Sequence, residues 1–139
     1  MANINQTIIV RTDLFNLPED TGLLAAQVAH IHAKVFTENL SRPQSSHFVL
    51  PNNIVPEDFV AWVKEPYLLV KKVPNAEALK HFRDLADKIN LPIYEWYDTV
   101  YVRLSATMKQ AFEMVLVGIS IGPADADRIR TVVGDLPLL

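Results

Sequence analysis

The chain contains no cysteine, and this absence removes several kinds of chemistry at once. Without thiols there is no disulfide, no thiolate nucleophile and no cysteine-ligated metal site.

Long apolar runs are missing too. The sequence has no stretch of about 18 apolar residues, which a membrane-spanning helix requires, and its first residues lack the charged and then apolar pattern of a signal peptide. We therefore expect a cytoplasmic protein without a membrane segment.

An excess of positive charge is the third absence. Acidic residues outnumber basic ones 16 to 13, for a formal charge of -3. Because proteins that bind nucleic acid through phosphates usually carry a basic surface, this balance argues against a generally basic surface and leaves only a local patch open. The length of 139 residues and the 50% hydrophobic content predict one domain, 1–139, around a single core.

What the sequence does contain is an alternation of strand and helix patterns. Helices are predicted from Thr21, from Pro56, after an N-cap at Asn75, and over the segment ADADRIRTVVG. The predicted strands are Gln6–Arg11, Tyr67–Val73, Pro92–Tyr97 and Met114–Ile121. We expect the last strand to be central, because it is apolar enough to be covered on both faces, and to end at Gly122-Pro123. These elements predict a three-layer α/β sandwich with helices on both faces of a four-stranded sheet.

Two segments are predicted as irregular. The stretch SRPQSSHFVLPNN, after the first helix, has the composition of a loop or flap. The connection TVYVRLSATMKQAFE, before the last strand, is long, and its portion Met108–Phe112 is the best candidate for a further strand or helical turn.

The first helix carries two stripes. Its polar stripe consists of Gln27, His30 and Lys34, spaced at i, i+3 and i+7. Its apolar stripe faces the core and consists of Leu24, Val28, Ile31 and Val35. His30 and His32 do not form a metal-binding pair, because residues two apart point to different faces of a helix.

Aromatic side chains gather near the third strand. Alternation places Tyr94 and Trp96 on one face of that strand. An exposed face of this kind could stack a base or form a dimer interface, while core packing is the commoner use of such residues.

Five segments of the chain occur in a characteristic order: VRTDL, AAQVAH, YLLVKKVPNAEAL, the Asp98 that follows the third strand, and the ending GISIGPADADRIRTVVGDLPLL. Together they resemble the archaeal-type, or type 2, peptidyl-tRNA hydrolases over nearly the whole chain. The resemblance implies one α/β domain with a mixed four-stranded sheet, cleavage of the ester between a peptide and the terminal ribose of tRNA, and no metal or organic cofactor. Members are often dimeric, so a homodimer is a candidate assembly.

The resemblance also implies candidate catalytic residues. The family associates its reaction with a Lys at the start of the first helix, a Gln one turn on, an Asp after the third strand and a Thr shortly beyond it. Gln27 and Asp98 match the Gln and the Asp, but Leu23 replaces the Lys and Val102 stands at the ungapped position of the Thr. Each retained residue also has a structural interpretation, since Gln27 could bond a neighbouring loop and Asp98 could cap a turn.

Substrate binding is expected to be weaker than in the family pattern. The approach FNLPEDTG supplies Glu19 and Asp20 instead of cations, and each lost charge-assisted contact costs roughly 1.5 to 3 kcal/mol. The remaining candidates for contact with tRNA or peptidyl-tRNA are His30, which matches a family His, and the cations Lys34, Arg11 and Arg103. Arg11 and Lys34 are predicted to border one cleft.

Two functions follow from this pattern. The favoured interpretation is a weakened or inactive relative that serves as a binding or assembly module. The alternative is an active peptidyl-tRNA hydrolase in which Asp98 and Gln27 orient water, and a third option is hydrolysis of another acyl or amide substrate in the same cleft.

Overall fold

The computed structural model describes residues 3–40, 53–103 and 110–139, with backbone alone at 40, 100–103 and 110–113. The loop predicted over SRPQSSHFVLPNN therefore lies outside the described residues, except for its last residue, Asn53. In chain order the elements are β1 (Ile4–Arg11), α1 (Thr21–Leu40), α2 (Pro56–Lys64), β2 (Tyr67–Val73), α3 (Ala76–Lys88), β3 (Ile93–Arg103), β4 (Gln110–Asp125) and α4 (Ala126–Val133).

The four strands form one mixed sheet in the order β2-β1-β4-β3. β1 pairs with β2 in parallel, and β4 is antiparallel to both β1 and β3. The apolar strand β4 is thus internal, as its composition predicted.

Side chains of β1 alternate between two cores. Ile8 and Val10 pack with Leu24 and Ile31 of α1 on one face of the sheet. Ile9, on the other face, joins the cluster that includes residues of α3 and α4. The helix α2 lies on the α1 side, where Trp62 is fully buried. The predicted three-layer α/β sandwich is confirmed.

The predicted end of the last strand at Gly122-Pro123 is wrong. β4 continues to Asp125, which pairs with Ile4 of β1. Gly122 adopts φ +99°, and the register shifts between Asn5 and Thr7 of the partner strand. A glycine at positive φ lets the strand bend through an irregularity instead of stopping.

The predicted long loop before β4 is also wrong over most of its length. β3 and β4 remain paired from Thr99 with Met114 to Arg103 with Gln110, so the two strands form a hairpin. The portion Met108–Phe112 is the candidate for a further strand or helical turn. Its last three residues form part of β4, so the strand is confirmed there, and its first two residues lie outside the described chain.

The close approach of α1 to the sheet depends on Gly118 in β4. A Cβ built there would come within 2.6 Å of Ile31 Cδ1 and 2.8 Å of the Ile9 carbonyl oxygen. Gly118 pairs with Trp96, and Tyr97 then pairs with Leu116, so that β4 carries one extra residue at this point. The missing side chain lets α1 lie close against β4, next to β3, where the candidate site lies.

Candidate active site

Gln27 and Asp98 meet across the interface between α1 and β3. The Gln27 Nε2 group donates a hydrogen bond of 3.0 Å to Asp98 Oδ2. The amide is 5% exposed, whereas the carboxylate is half-buried and reaches solvent. The structure therefore brings together the two residues predicted as catalytic, which are 71 positions apart in the chain.

Trp96 completes a line of three side chains. Its indole Nε1–H donates a 2.7 Å hydrogen bond to Gln27 Oε1, so the amide bonds Trp96 with its oxygen and Asp98 with its nitrogen. The other carboxylate oxygen, Asp98 Oδ1, accepts the backbone N–H of Thr99 at 2.7 Å. Both oxygens of Asp98 thus have a fixed donor, which holds the carboxylate in one orientation.

The rest of the polar stripe of α1 lies along the same strand. The His30 ring stacks on the Trp96 indole, with centroids 5.2 Å apart and planes 13° apart. Lys34 Nζ is 6.0 Å from the centre of the Trp96 ring and donates a hydrogen bond of 2.6 Å to the Glu95 carbonyl. The predicted stripe of Gln27, His30 and Lys34 is confirmed, and all three residues contact β3.

This arrangement has the parts needed to orient a water molecule. An ionised carboxylate has about four acceptor positions, and protein donors take two of those on Asp98. The remaining positions can accept hydrogen bonds from a water and so orient it, which is the first requirement for hydrolysis of an ester.

Comparison with known proteins places the chain in a family. A model described as Peptidyl-tRNA hydrolase PTH2 matches residues 4–139. The chain belongs to this family. A curated Peptidyl-tRNA hydrolase of Sulfurisphaera tokodaii is 30% identical to it over 134 residues, which is 95% of each chain. The resemblance inferred from the sequence is thereby confirmed. Among the described helices of this PTH2-family chain, none has the length and apolar character needed to cross a membrane.

Leu23 lies one helical turn before Gln27 on α1. It precedes Gln27 by four residues, so the two side chains share a face of α1, and its side chain is 50% exposed. The preceding Glu19 is exposed as well, whereas the Asp20 carboxylate accepts the Asn16 N–H at 2.7 Å and closes the loop before the helix. At the position where the PTH2 resemblance implies a cation, this chain presents an apolar side chain beside acids.

Arg11 is not brought together with Lys34. Strand alternation places Arg11 on the Ile9 side of the sheet, and its guanidinium pairs with both oxygens of Asp13 at 2.8 and 2.7 Å. The hydrogen bonds with Asp13 raise the pKa of Arg11, with added attraction from Glu77 on α3. The cation is thus already paired, on the face away from the polar stripe of α1.

Arg103 is the last residue of β3, five residues after Asp98. At about 3.3 Å per residue its backbone is about 16 Å along the strand from Asp98, and its side chain lies outside the described part of the structure. Val102, at the ungapped position of the family's Thr, pairs with Ala111 within the same hairpin.

His32 points away from the candidate site. Its Nδ1 lies 2.7 Å from Gln6 Oε1, and its ring makes edge contacts with Phe36 and Trp62. Burial lowers the pKa of His32. The prediction that His30 and His32 occupy different faces of the helix is confirmed.

Trp96 is the residue of this site whose role the sequence analysis missed. Its expected uses were stacking, a dimer interface or core packing, and the hydrogen bond to Gln27 was not foreseen. A signal was present, because alternation along β3 puts Trp96 on the same side as Asp98, two residues later. The homodimer stays a prediction.

Proposed function

We propose that this PTH2-family protein hydrolyses the ester of peptidyl-tRNA at a weakened level, with Asp98 orienting the attacking water and Gln27 holding the carboxylate. The observation that carries the proposal is the hydrogen bond between Gln27 Nε2 and Asp98 Oδ2. A structural glutamine would need only some partner, whereas this one bonds the single carboxylate that the family resemblance selects.

Burial separates the tasks of the two residues. Gln27 is 5% exposed and has bonds at both ends of its amide, so it can act on the substrate only through its neighbours. Asp98 is half-buried and has acceptor positions left for water. A carboxylate held by two donors needs little reorganisation when the water attacks the ester carbonyl.

The weakening is attributed to Leu23 and the acidic approach. A cation near tRNA phosphate contributes a charge-assisted bond, and its loss costs roughly 1.5 to 3 kcal/mol, or roughly ten- to hundredfold in the dissociation constant. Lys34 lies two turns after Gln27 on the same helix, but its ammonium group donates to the Glu95 carbonyl and lies 3.9 Å from Glu38. It can replace the missing charge only in part.

A second candidate function is binding without hydrolysis. Two observations favour it: Leu23, at the position of the family's Lys, is half-exposed, and no ion pair in the described ranges involves Asp98. In that case Gln27 and Asp98 would help to bind the ligand without activating a water molecule.

The test is single-turnover hydrolysis of purified peptidyl-tRNA over a series of protein concentrations, which separates the rate at saturation from the half-saturating concentration. We expect Asp98→Asn to lower the saturating rate at least a hundredfold, because the amide cannot accept a proton from water. We expect Leu23→Lys to lower the half-saturating concentration about tenfold and to steepen its dependence on salt.

The matched control is Val63→Lys. Val63 lies on α2 and is 44% exposed, so this variant adds the same charge away from Asp98. An equal gain from Val63→Lys would assign the effect to net charge. Cleavage that persists in Asp98→Asn would overturn the proposed role of Asp98, and binding of peptidyl-tRNA without cleavage at any concentration would establish the second candidate.

A further inference from the structure

The amide of Gln27 has two ends that differ in chemistry but hardly in shape. With its nitrogen towards Asp98 it donates to the carboxylate, whereas with its oxygen there it would repel the same group. The function of the pair therefore depends on what fixes the orientation of the amide.

Trp96 supplies that constraint. An indole Nε1–H can donate but never accept, and it lies 2.7 Å from the Gln27 amide. Only the oxygen of the amide can face it, so the nitrogen must face Asp98. The two hydrogen bonds select the same orientation.

Trp96 is itself held in place. Its ring stacks against His30, with centroids 5.2 Å apart, and its backbone pairs with Gly118 in the middle of the sheet. The half-buried indole is held by a helix on one side and a strand ladder on the other, which limits its rotation and so fixes the direction of its N–H.

From this geometry we propose that Trp96 is a positioning residue, whose indole N–H locks the Gln27 amide so that Nε2 donates to Asp98. The catalytic consequence rests on the function proposed above. The lock itself is a property of the free protein and can be measured without a substrate.

The experiment replaces only the indole N–H group of Trp96 and keeps the rest of the ring. Site-specific incorporation of 3-benzothienylalanine at position 96 keeps the size and stacking of the indole but puts sulfur in place of the N–H. The same substitution at Trp62 is the matched control, since its indole donates a 3.1 Å bond to the Tyr67 carbonyl, outside the Gln27–Asp98 pair.

We expect the analogue at position 96 to lower the single-turnover rate at saturation about tenfold or more, because small losses of orientation reduce rates strongly. The half-saturating concentration should stay the same, since the ring and its stacking are kept. The analogue at position 62 should change neither quantity. A full rate with the analogue at position 96, or equal losses at both positions, would overturn the proposal.

A second measurement does not depend on activity. It tests the position of the amide even if the native chain does not cleave peptidyl-tRNA, in which case the proposed hydrolysis has failed. In ¹⁵N-labelled protein, Asp98→Asn should shift the Gln27 side-chain amide and the Trp96 indole signals and leave the Trp62 indole signal in place, because a hydrogen-bonded chain transmits polarisation. The analogue at position 96 should shift the Gln27 amide signal. If that signal does not move, the amide lock is refuted independently of activity.

Discussion

The imidazole Nδ1 of His32 shares a 2.7 Å hydrogen bond with the amide oxygen of Gln6, and the Gln6 nitrogen donates at 2.8 Å to the hydroxyl of Ser120. Gln6 and Ser120 are fully buried, so this polar chain links α1, β1 and β4 through the interior. The Gln6 amide uses both of its ends, which makes each link sensitive to substitution.

The stability of the protein should depend on pH through His32. Burial lowers the pKa of His32 in the folded state, while the unfolded chain keeps the ordinary value of about 6.5. Below that pH the unfolded state binds more protons, so the free energy of unfolding should fall as the pH drops from 7 towards 5 and should be fully retained above about 6.5.

Urea denaturation at pH 7 and pH 5.5 measures this effect. We expect His32→Asn to reduce the difference between the two pH values, and His81→Asn, at an exposed position on α3, to leave it intact. An unchanged difference in His32→Asn would contradict the assignment.

Removal of the Ser120 hydroxyl should be costly. In Ser120→Ala the Gln6 Nε2 group keeps its burial but loses its acceptor, which costs about 1 to 3 kcal/mol. A double-mutant cycle with Gln6→Leu should show a combined loss smaller than the sum of the single losses, because the orphaned donor is then removed as well. Additive losses would show that the two side chains act independently.

Lys71 and Lys72 are adjacent on β2 but should respond differently to substitution by Met. The Lys71 ammonium is buried and donates to the Val133 and Gly134 carbonyls at 2.9 and 3.2 Å, at the C-terminal end of α4. We expect Lys71→Met to lower the free energy of unfolding by about 1.5 to 3 kcal/mol, since charged hydrogen bonds at a helix end are lost.

Lys72 is exposed, so Lys72→Met should change stability by less than about 0.5 kcal/mol. Chemical denaturation of both variants measures the difference. Equal effects of the two substitutions would mean that the contacts of Lys71 contribute nothing to stability.

Two glycine-to-alanine changes should have opposite signs. Gly118→Ala would push a methyl group against Ile31 and the Ile9 carbonyl, and we expect a loss of about 1 to 3 kcal/mol. Gly22→Ala, in the first turn of α1 with nothing within 4 Å, should gain about 0.4 to 1 kcal/mol by restricting the unfolded chain. Thermal unfolding of the pair gives both signs in one experiment, and a stable Gly118→Ala protein would show that α1 can move away from the sheet freely.

Local signals predicted the elements whose determinants lie close together in the chain. The strand Tyr67–Val73 has the predicted bounds, α1 begins at Thr21, and Asn75 caps α3 by accepting the Ala78 N–H at 2.9 Å. Each of these depends on side-chain pattern or capping over a few residues.

The hairpin and the site depend on contacts that no local pattern encodes. The continuation of β4 past Gly122 needs a bulge opposite Asn5, more than a hundred positions away in the chain. Gln27 and Asp98 were selected by their resemblance to family motifs, and neither helical nor strand periodicity identifies them as partners. The hydrogen bond from Trp96 to Gln27 joins residues 69 positions apart, so it depends on how α1 packs against β3.

The outer part of the hairpin of β3 and β4 can vary in length independently of the residues at its base. In the described chain, the part of β4 that precedes Gly118 pairs with β3 alone, and Asp98 pairs with Val115 at the base of this two-stranded ribbon. Because side chains alternate with a period of two, residues added or removed in matched pairs farther out would lengthen or shorten the ribbon without turning the carboxylate. The length of the ribbon can therefore change over evolution while Asp98 keeps its side of the sheet and its hydrogen bond with Gln27.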